Sequence, residues 1–600
     1  MNEMPAAPTE TMDFGSLPVW SLADLYSGPE GDDFKRAFDD VSQQIEAFEG
    51  AYAGKVANLN SAAFGQAIAS FEAISDLLGR IGSFAQLYHS QNVGDSDRGR
   101  FYQDTVDRMT TLSSKTLFFT LAINRLDDDE LESKLTDPSA ARYRPWLRDL
   151  RVYKDHELSD DLERLLHEKY VSGRAAWTRL FDETEARIRC TVDAETLTLT
   201  EALNRLSDSK PECRKAAAKG IGKALGDEGN LFTYITNVMA KDKSIEDEWR
   251  KYPRPVSSRN LANLVEDEVV DALVSAAKGS YADTSHRYYA LKAKWFGKHK
   301  LEYWDRNAPL PLAEDRIIKW DEAKSTVLDA YSAFAPTLAE LASPFFDKGW
   351  IDAPATPGKA SGAFSHPTVP SAHPYILLNY LGSSRDVMTL AHELGHGVHQ
   401  VLAADQGTLL CETPLTLAET ASVFGEMLTF RSLLEKEQRP DHRRALLAGK
   451  VEDMLNTVIR QIAFHQFEQA IHDERRKGEL SLDRICEIWM SVQAESLGPA
   501  FRFDEEYQYY WMYISHFIHV PFYVYAYAFG DCLVNSLYKV YTEGTVPNFE
   551  DKYLELLKAG GTLRHKELLA PFGLDASDPA FWARGMETLT GLIDELELVA

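Results

Sequence analysis

No stretch of about 18 uncharged apolar residues occurs along the chain, so no membrane-spanning helix is expected. Cysteine is scarce. The five present, Cys190, Cys213, Cys411, Cys486 and Cys532, are odd in number and widely scattered, and no two have the spacing of a metal knuckle or a redox motif. Reduced thiols in a cytoplasmic protein are the expectation. Also missing is any concentrated run of Lys or Arg. With 64 basic against 92 acidic residues and a formal charge of −28, the chain would repel nucleic-acid phosphates, which argues against nucleic acid as a partner. The opening stretch, "MNEMPAAPTETMDFGS", has acidic residues and prolines but no apolar core, so no secretory signal is expected. What remains is a soluble chain of ordinary composition, 44% hydrophobic and 26% charged. At 600 residues it should divide into more than one sub-domain.

Most of the chain has helical periodicity. After a loosely ordered lead-in over 1–30, "FKRAFDDVSQQIEAFEGAY" places Phe34, Phe38, Val41, Ile45 and Phe48 at steps of three and four, the stripe of an amphipathic helix. "SDDLERLLHEKYVSGRAAWTRLFDE" repeats the pattern, with Ser159 as N-cap. Weak patterning near 185–200 suggests a helical region over 31–195 and a larger one over 196–600. Between about 346 and 381 the composition shifts to Gly, Ser and Pro around two short runs, 362–365 and Tyr375–Tyr380, which read as strands of one small sheet. Helical patterning resumes at Ser384. The expected fold is mainly α with a minor β insert.

That resumed helix carries "LAHELGHGVHQ". His392 and His396, four residues apart, share a helix face and can converge on one ion, for which zinc is the usual choice. Glu393 lies about 100° round the helix from His392, poorly placed as a ligand but able to reach a water on the metal. A catalytic zinc needs a third protein ligand. His399 is two turns up the axis from His392, too far to share the ion. The arrangement with Gly at 399 and His at 402 is excluded, because those positions are His399 and Leu402. A better third ligand is Glu419 in "TLAETASVFGEML", with enough chain after His396 for a second helix to pack alongside. Glu426, two turns further on the same face, fits an outer partner for a ligand histidine. Glu412, beside Pro414, is a weaker candidate.

"LAHELGHGVHQ" followed by "LAETASVFGEML" resembles the M3 family of zinc metallopeptidases, in its oligoendopeptidase F branch. So do "HELSDDLERLLHEKYVSGRAAWTRLFDE", "NLFTYITNVMAKDKSIEDEWRKYPRPVSSRN", "ALKAKWFGKHKLEYWD" and "PYILLNYLGSSRDVMTLAHELGH". The resemblance covers all but about the first 30 residues. It implies one zinc ion per chain held by His392, His396 and Glu419, with Glu393 as general base. It also implies a two-lobed, largely helical fold around a deep channel, with the small sheet next to the zinc-binding helix. Short unstructured peptides would be the substrates, with no nucleic-acid or membrane partner.

Peptide hydrolysis also needs donors for the oxyanion of the tetrahedral intermediate. In related peptidases a histidine and one or more tyrosines supply them from a segment like "HFIHVPFYVYAY". This points to His516 with Tyr523 or Tyr525, with Tyr527 a third possibility and His519 structural. The strand "SGAFS" resembles an edge that such enzymes offer to a substrate backbone, which makes Gly362, Ala363 and Phe364 candidate contacts. Two other readings remain open: a catalytically silent helical scaffold that binds peptides, and a zinc hydrolase of a non-peptide amide or ester.

Overall fold

The computed structural model describes residues 13–310 and 317–599. Helices dominate, and the sheets are small: two of two strands and one of three. None of the helices described is long and apolar enough to cross a membrane. The first long helix, Asp32–Tyr52, buries the stripe expected of it, Phe34, Phe38, Val41, Ile45 and Phe48. Each large apolar side chain so buried contributes roughly 1.5–3 kcal/mol.

Apolar side chains gather into three cores. One joins the helices between residues 34 and 147 to Tyr375, Leu377 and Leu410. A second links Phe181, Ile188 and Val192 to the helices around Ile221, Trp489 and Trp511. The third and largest surrounds the helix Ser384–Ala403 and includes most of the C-terminal helices.

Two features of the structure bear on how the chain is organised. The first twelve positions of the lead-in lie outside the described residues. From residue 13 on, however, the lead-in is docked: Trp20, Leu25 and Tyr26 are buried, and the Trp20 ring meets Tyr375 edge-on at 5.8 Å. Its breakers stop it from forming a helix, but they do not stop it from packing. The boundary expected at 195 falls inside an antiparallel hairpin, Arg189–Val192 with Glu195–Thr198. Cys190 and Val192 share a core with Leu199 and Ile221, so we propose that the division of the chain lies ahead of Phe181.

The three-stranded sheet positions the site. Tyr375–Tyr380 is central, parallel to Ile351–Pro354 and antiparallel to Phe364–His366. Its residues are nearly all buried, as befits a strand covered on both faces. The short strand Phe364–His366 begins two residues later than the sequence suggested and forms an edge.

Candidate active site

The helix Ser384–Ala403 follows the central strand after a short turn. Ser383 caps it: its Oγ accepts from the Asp386 N–H at 3.1 Å, while Asp386 Oδ2 accepts from the Ser383 N–H at 2.9 Å, a reciprocal capping box. Val387, Leu390, Ala391, Leu394 and Val398 turn into the core. Gly395 explains how a second helix comes so near, because a Cβ there would sit 2.5 Å from the Ala421 carbonyl oxygen. That second helix is Thr420–Lys436, and Glu419 stands immediately before its first residue.

This approach brings three donors together. Glu419 Oε2 lies 3.3 Å from His392 Nε2 and 3.4 Å from His396 Nε2, and one ligand atom from each residue falls within 4.8 Å of the others. Ser422 Oγ donates to Glu419 Oε2 at 2.6 Å, which fixes the carboxylate. Gly530 leaves room for it, since a Cβ there would meet Glu419 Cβ at 3.1 Å.

The electrostatics sort the two histidines. Burial alone would lower His392, but its hydrogen bond to Glu426 and the charge of Glu419 outweigh that and hold it at about 9. Burial keeps His396 well below the usual imidazole range, in the neutral form with a lone pair to offer. Glu426 Oε2 bonds His392 Nδ1 at 3.2 Å, and its Oε1 accepts from Lys450 Nζ at 2.6 Å. Burial works to raise Glu426, yet Lys450 and His392 outweigh it and hold the carboxyl at about 2. The chain Lys450–Glu426–His392 fixes which imidazole nitrogen faces the donor cluster.

Glu393 is only 7% exposed, and burial pushes its carboxyl up to about 7. The Ser365 backbone N–H on the edge strand bonds it and works the other way. A cavity of ≈ 620 Å³ is lined by His392, Glu393, Glu419, Gly362, Ala363 and Tyr527. Phe364 lies elsewhere: its ring packs with the N-terminal core, 6.5 Å from Trp20. Its side chain faces away from the cavity, as alternate residues of a strand face opposite ways, and its backbone remains on the edge strand.

The aromatic segment ends in a turn and the helix Tyr525–Glu543. Tyr523 in the turn and Tyr527 on the helix have ring centroids 5.3 Å apart, and His516 Nε2 is 3.3 Å from the Tyr527 hydroxyl. Burial holds His516 below its usual range, so it is neutral near pH 7. Tyr525, the first residue of that helix, is turned away. It is fully buried, its hydroxyl accepts from Asn263 Nδ2 at 2.8 Å, and its ring lies 5.6 Å from His465. The structure therefore places Tyr525 away from the cavity. Phe522 in the turn adopts φ +60°, unusual for a bulky residue, with its N–H held by Glu468 Oε1 at 2.8 Å.

His399 lies outside the cluster, buried against Thr413 at 3.2 Å. His519 pairs with Asp182 at 2.7 Å. Glu412 is exposed. Lys450 was missed by sequence reasoning. Its one local signal is a charge among Leu447, Ala448, Val451 and Met454, all buried on the same helix.

Comparison with known proteins gives the family. The profile of Peptidase family M3 matches residues 318–588, and that of Oligopeptidase F matches 123–189. Oligopeptidase PepF of Bacillus subtilis is 25% identical over 592 residues, spanning 96% of this chain and 87% of its own. The crystal structure of a Chlamydophila abortus protein assigned as a peptidase superposes with TM-score 0.86 at 21% identity, covering 97% of this chain and 98% of that one. Oligoendopeptidase-F from Enterococcus faecium gives 0.70 at 22% identity, covering 94% and 98%. With the two profiles taking in more than half of its length and the likeness to PepF running nearly end to end, the chain belongs to peptidase family M3, in its oligoendopeptidase F branch.

Proposed function

We propose that the protein is a zinc-dependent endopeptidase that hydrolyses internal bonds of short, unstructured peptides. The observation that carries this reading is the convergence of His392, His396 and Glu419 beside the buried Glu393 carboxyl, at a cavity that His392, Glu393 and Glu419 line. Two imidazoles from one helix and a carboxylate at the start of the helix packed against it are a donor set that suits zinc and leaves a coordination position open. His392, His396 and Glu419 would hold one ion. When bound, zinc supplies Lewis acidity and brings the pKa of a water in its open position to about 7.

The chain's own groups do the rest. Glu393, raised by burial in the metal-free chain, stands where it can take a proton from the attacking water and pass it to the leaving amine nitrogen. His516 and Tyr527, 3.3 Å apart, offer N–H and O–H donors to the carbonyl oxygen as it gains charge, with Tyr523 beside them. Gly362 and Ala363, at the rim of the cavity next to the edge strand, fit a peptide that adds to the sheet through its backbone. Such addition selects extended chains with little regard for side chains. Extended segments of a folded protein are mostly paired or packed already, which favours short flexible substrates.

The test is digestion of a mixed short-peptide library with and without a zinc chelator, with products read by mass. Internal cuts that disappear with chelator and return with added zinc are expected. Peptides bound but uncut would favour the silent scaffold, and cleavage confined to non-peptide amides or esters would favour the other hydrolase.

A further inference from the structure

A small cavity lies on the far side of the π-helical turn Leu455–Ile459. Met454 and Thr457, at and within that turn, line the large cavity that holds Glu393, whereas Leu455 and Ile459 line the small one. Its polar walls are Arg306, Arg460, Gln493, Ser285, Ser496 and Tyr289. The space open to the centre of a guest is ≈ 10 Å³, about the minimum for one water-sized occupant.

The two arginines have no acid to answer them. Arg306 Nη2 donates to Asn456 Oδ1 at 2.8 Å, and Arg460 Nη2 donates to the Tyr513 hydroxyl at 3.1 Å. Both acceptors are neutral. No carboxylate among the described residues bonds either guanidinium. Four other interior cations are matched directly, Arg214 with Asp305 at 2.8 Å, Lys292 with Glu452 at 2.7 Å, Lys359 with Asp352 at 2.6 Å and Lys450 with Glu426 at 2.6 Å, while the buried Lys134 is met by two backbone carbonyls. Two like charges without an opposite one repel each other and lose hydration, which favours uptake of an anion.

The unfilled hydrogen bonds have one polarity. Arg306 Nε, Arg460 Nε and Gln493 Nε2 are all sealed from solvent without a partner. Gln493 is oriented by the Tyr507 hydroxyl, which donates to its Oε1 at 2.9 Å, so the amide nitrogen is the free end. The serines are occupied as donors, Ser285 Oγ to the Ser496 carbonyl at 2.5 Å and Ser496 Oγ to the Gln493 carbonyl at 3.3 Å. The Tyr289 hydroxyl on the same wall bonds Arg306 and carries no charge, so the three orphan donors still face no carboxylate, which suits a guest that only accepts. A water would bring two protons of its own to place.

The geometry points to a buried monoanion site between Arg306, Arg460 and Gln493, sized for a single halide such as chloride. Its occupant would tie the π-helical turn to Tyr513, three residues ahead of His516, and so brace two walls of the catalytic cavity from behind. The site stands whether or not the proposed peptidase reading does.

Two measurements on the full chain test it, and neither uses activity. Crystals grown in sodium bromide should give an anomalous peak at the bromine edge between the three donors. Melting temperature should rise saturably when chloride replaces gluconate at equal ionic strength, and Gln493→Leu, which removes one donor and no charge, should weaken that rise. A water or a protein carboxylate between the donors overturns the proposal. So does a melting temperature indifferent to the anion.

Discussion

His392, Glu393 and His396 stand on a 20-residue helix with a capping box at its start and an apolar face in the largest core. His516 and Tyr523 stand on a four-residue helix and the turn after it, where Phe522 adopts a positive φ and a buried glutamate holds its N–H. The first half takes its geometry from helical periodicity, so the relative position of its side chains follows from their spacing. The second takes its geometry from distant contacts, at a strain cost on the order of 1–3 kcal/mol for such a backbone. One half should tolerate no change of ligand. The other should respond in graded fashion, according to which tyrosine is touched.

Four substitutions would break or sharpen that contrast. Glu419→Ala removes a donor from the rigid half, so metal content after dialysis should collapse and turnover with it. The loss should exceed the ~100-fold in affinity that an outer partner commands, and unchanged metal content would point to a different ligand. Tyr527→Phe removes one hydroxyl from the turn half and leaves the donors of the metal cluster intact. Turnover should fall by ~10²–10³-fold, as for loss of a single oxyanion donor, with zinc content unchanged.

Glu426→Gln lies between these in kind. It should weaken zinc affinity by ~10–100-fold, and it carries a pH signature. In the metal-free protein Glu426 helps hold His392 at about 9, so near pH 7 that imidazole is protonated and must lose its proton to bind metal. Affinity should therefore rise with pH up to about 9, and calorimetry in buffers of different ionisation heat should register the released proton. In the Gln variant His392 titrates lower, and proton release at pH 7 should shrink. Tyr525→Phe should do least: turnover unchanged and stability lower by about 1 kcal/mol, since only the bond from Asn263 is lost. A large fall in turnover with Tyr525→Phe, and none with Tyr527→Phe, would reverse the assignment of the turn.

The same contrast governs what could be read from the sequence. His392, Glu393 and His396 were legible because four residues make one turn and ligands on one turn converge. Glu419 and Glu426 were legible as two acids on an apolar helix, although Glu419 ends up just before that helix starts. The tyrosines could not be ordered, because the direction of each depends on where the helix after Pro521 begins. It begins at Tyr525, which pairs Tyr523 with Tyr527 and turns Tyr525 to Asn263. Lys450 left only a weak local trace, since its partner lies on another helix. The docking of residues 13–30 was invisible for the same reason: Trp20 finds Phe364 and Tyr375 more than three hundred positions away.

The central claim is that three side chains hold the metal while Glu393 works beside it without holding it. Glu393→Gln keeps the shape and removes the base. Zinc per chain and turnover on a short peptide, measured on the same preparation, separate the two jobs. The account predicts one zinc per chain with turnover lower by ~10²–10⁴-fold. Wild-type turnover by the zinc-loaded variant, or loss of the metal, would contradict it.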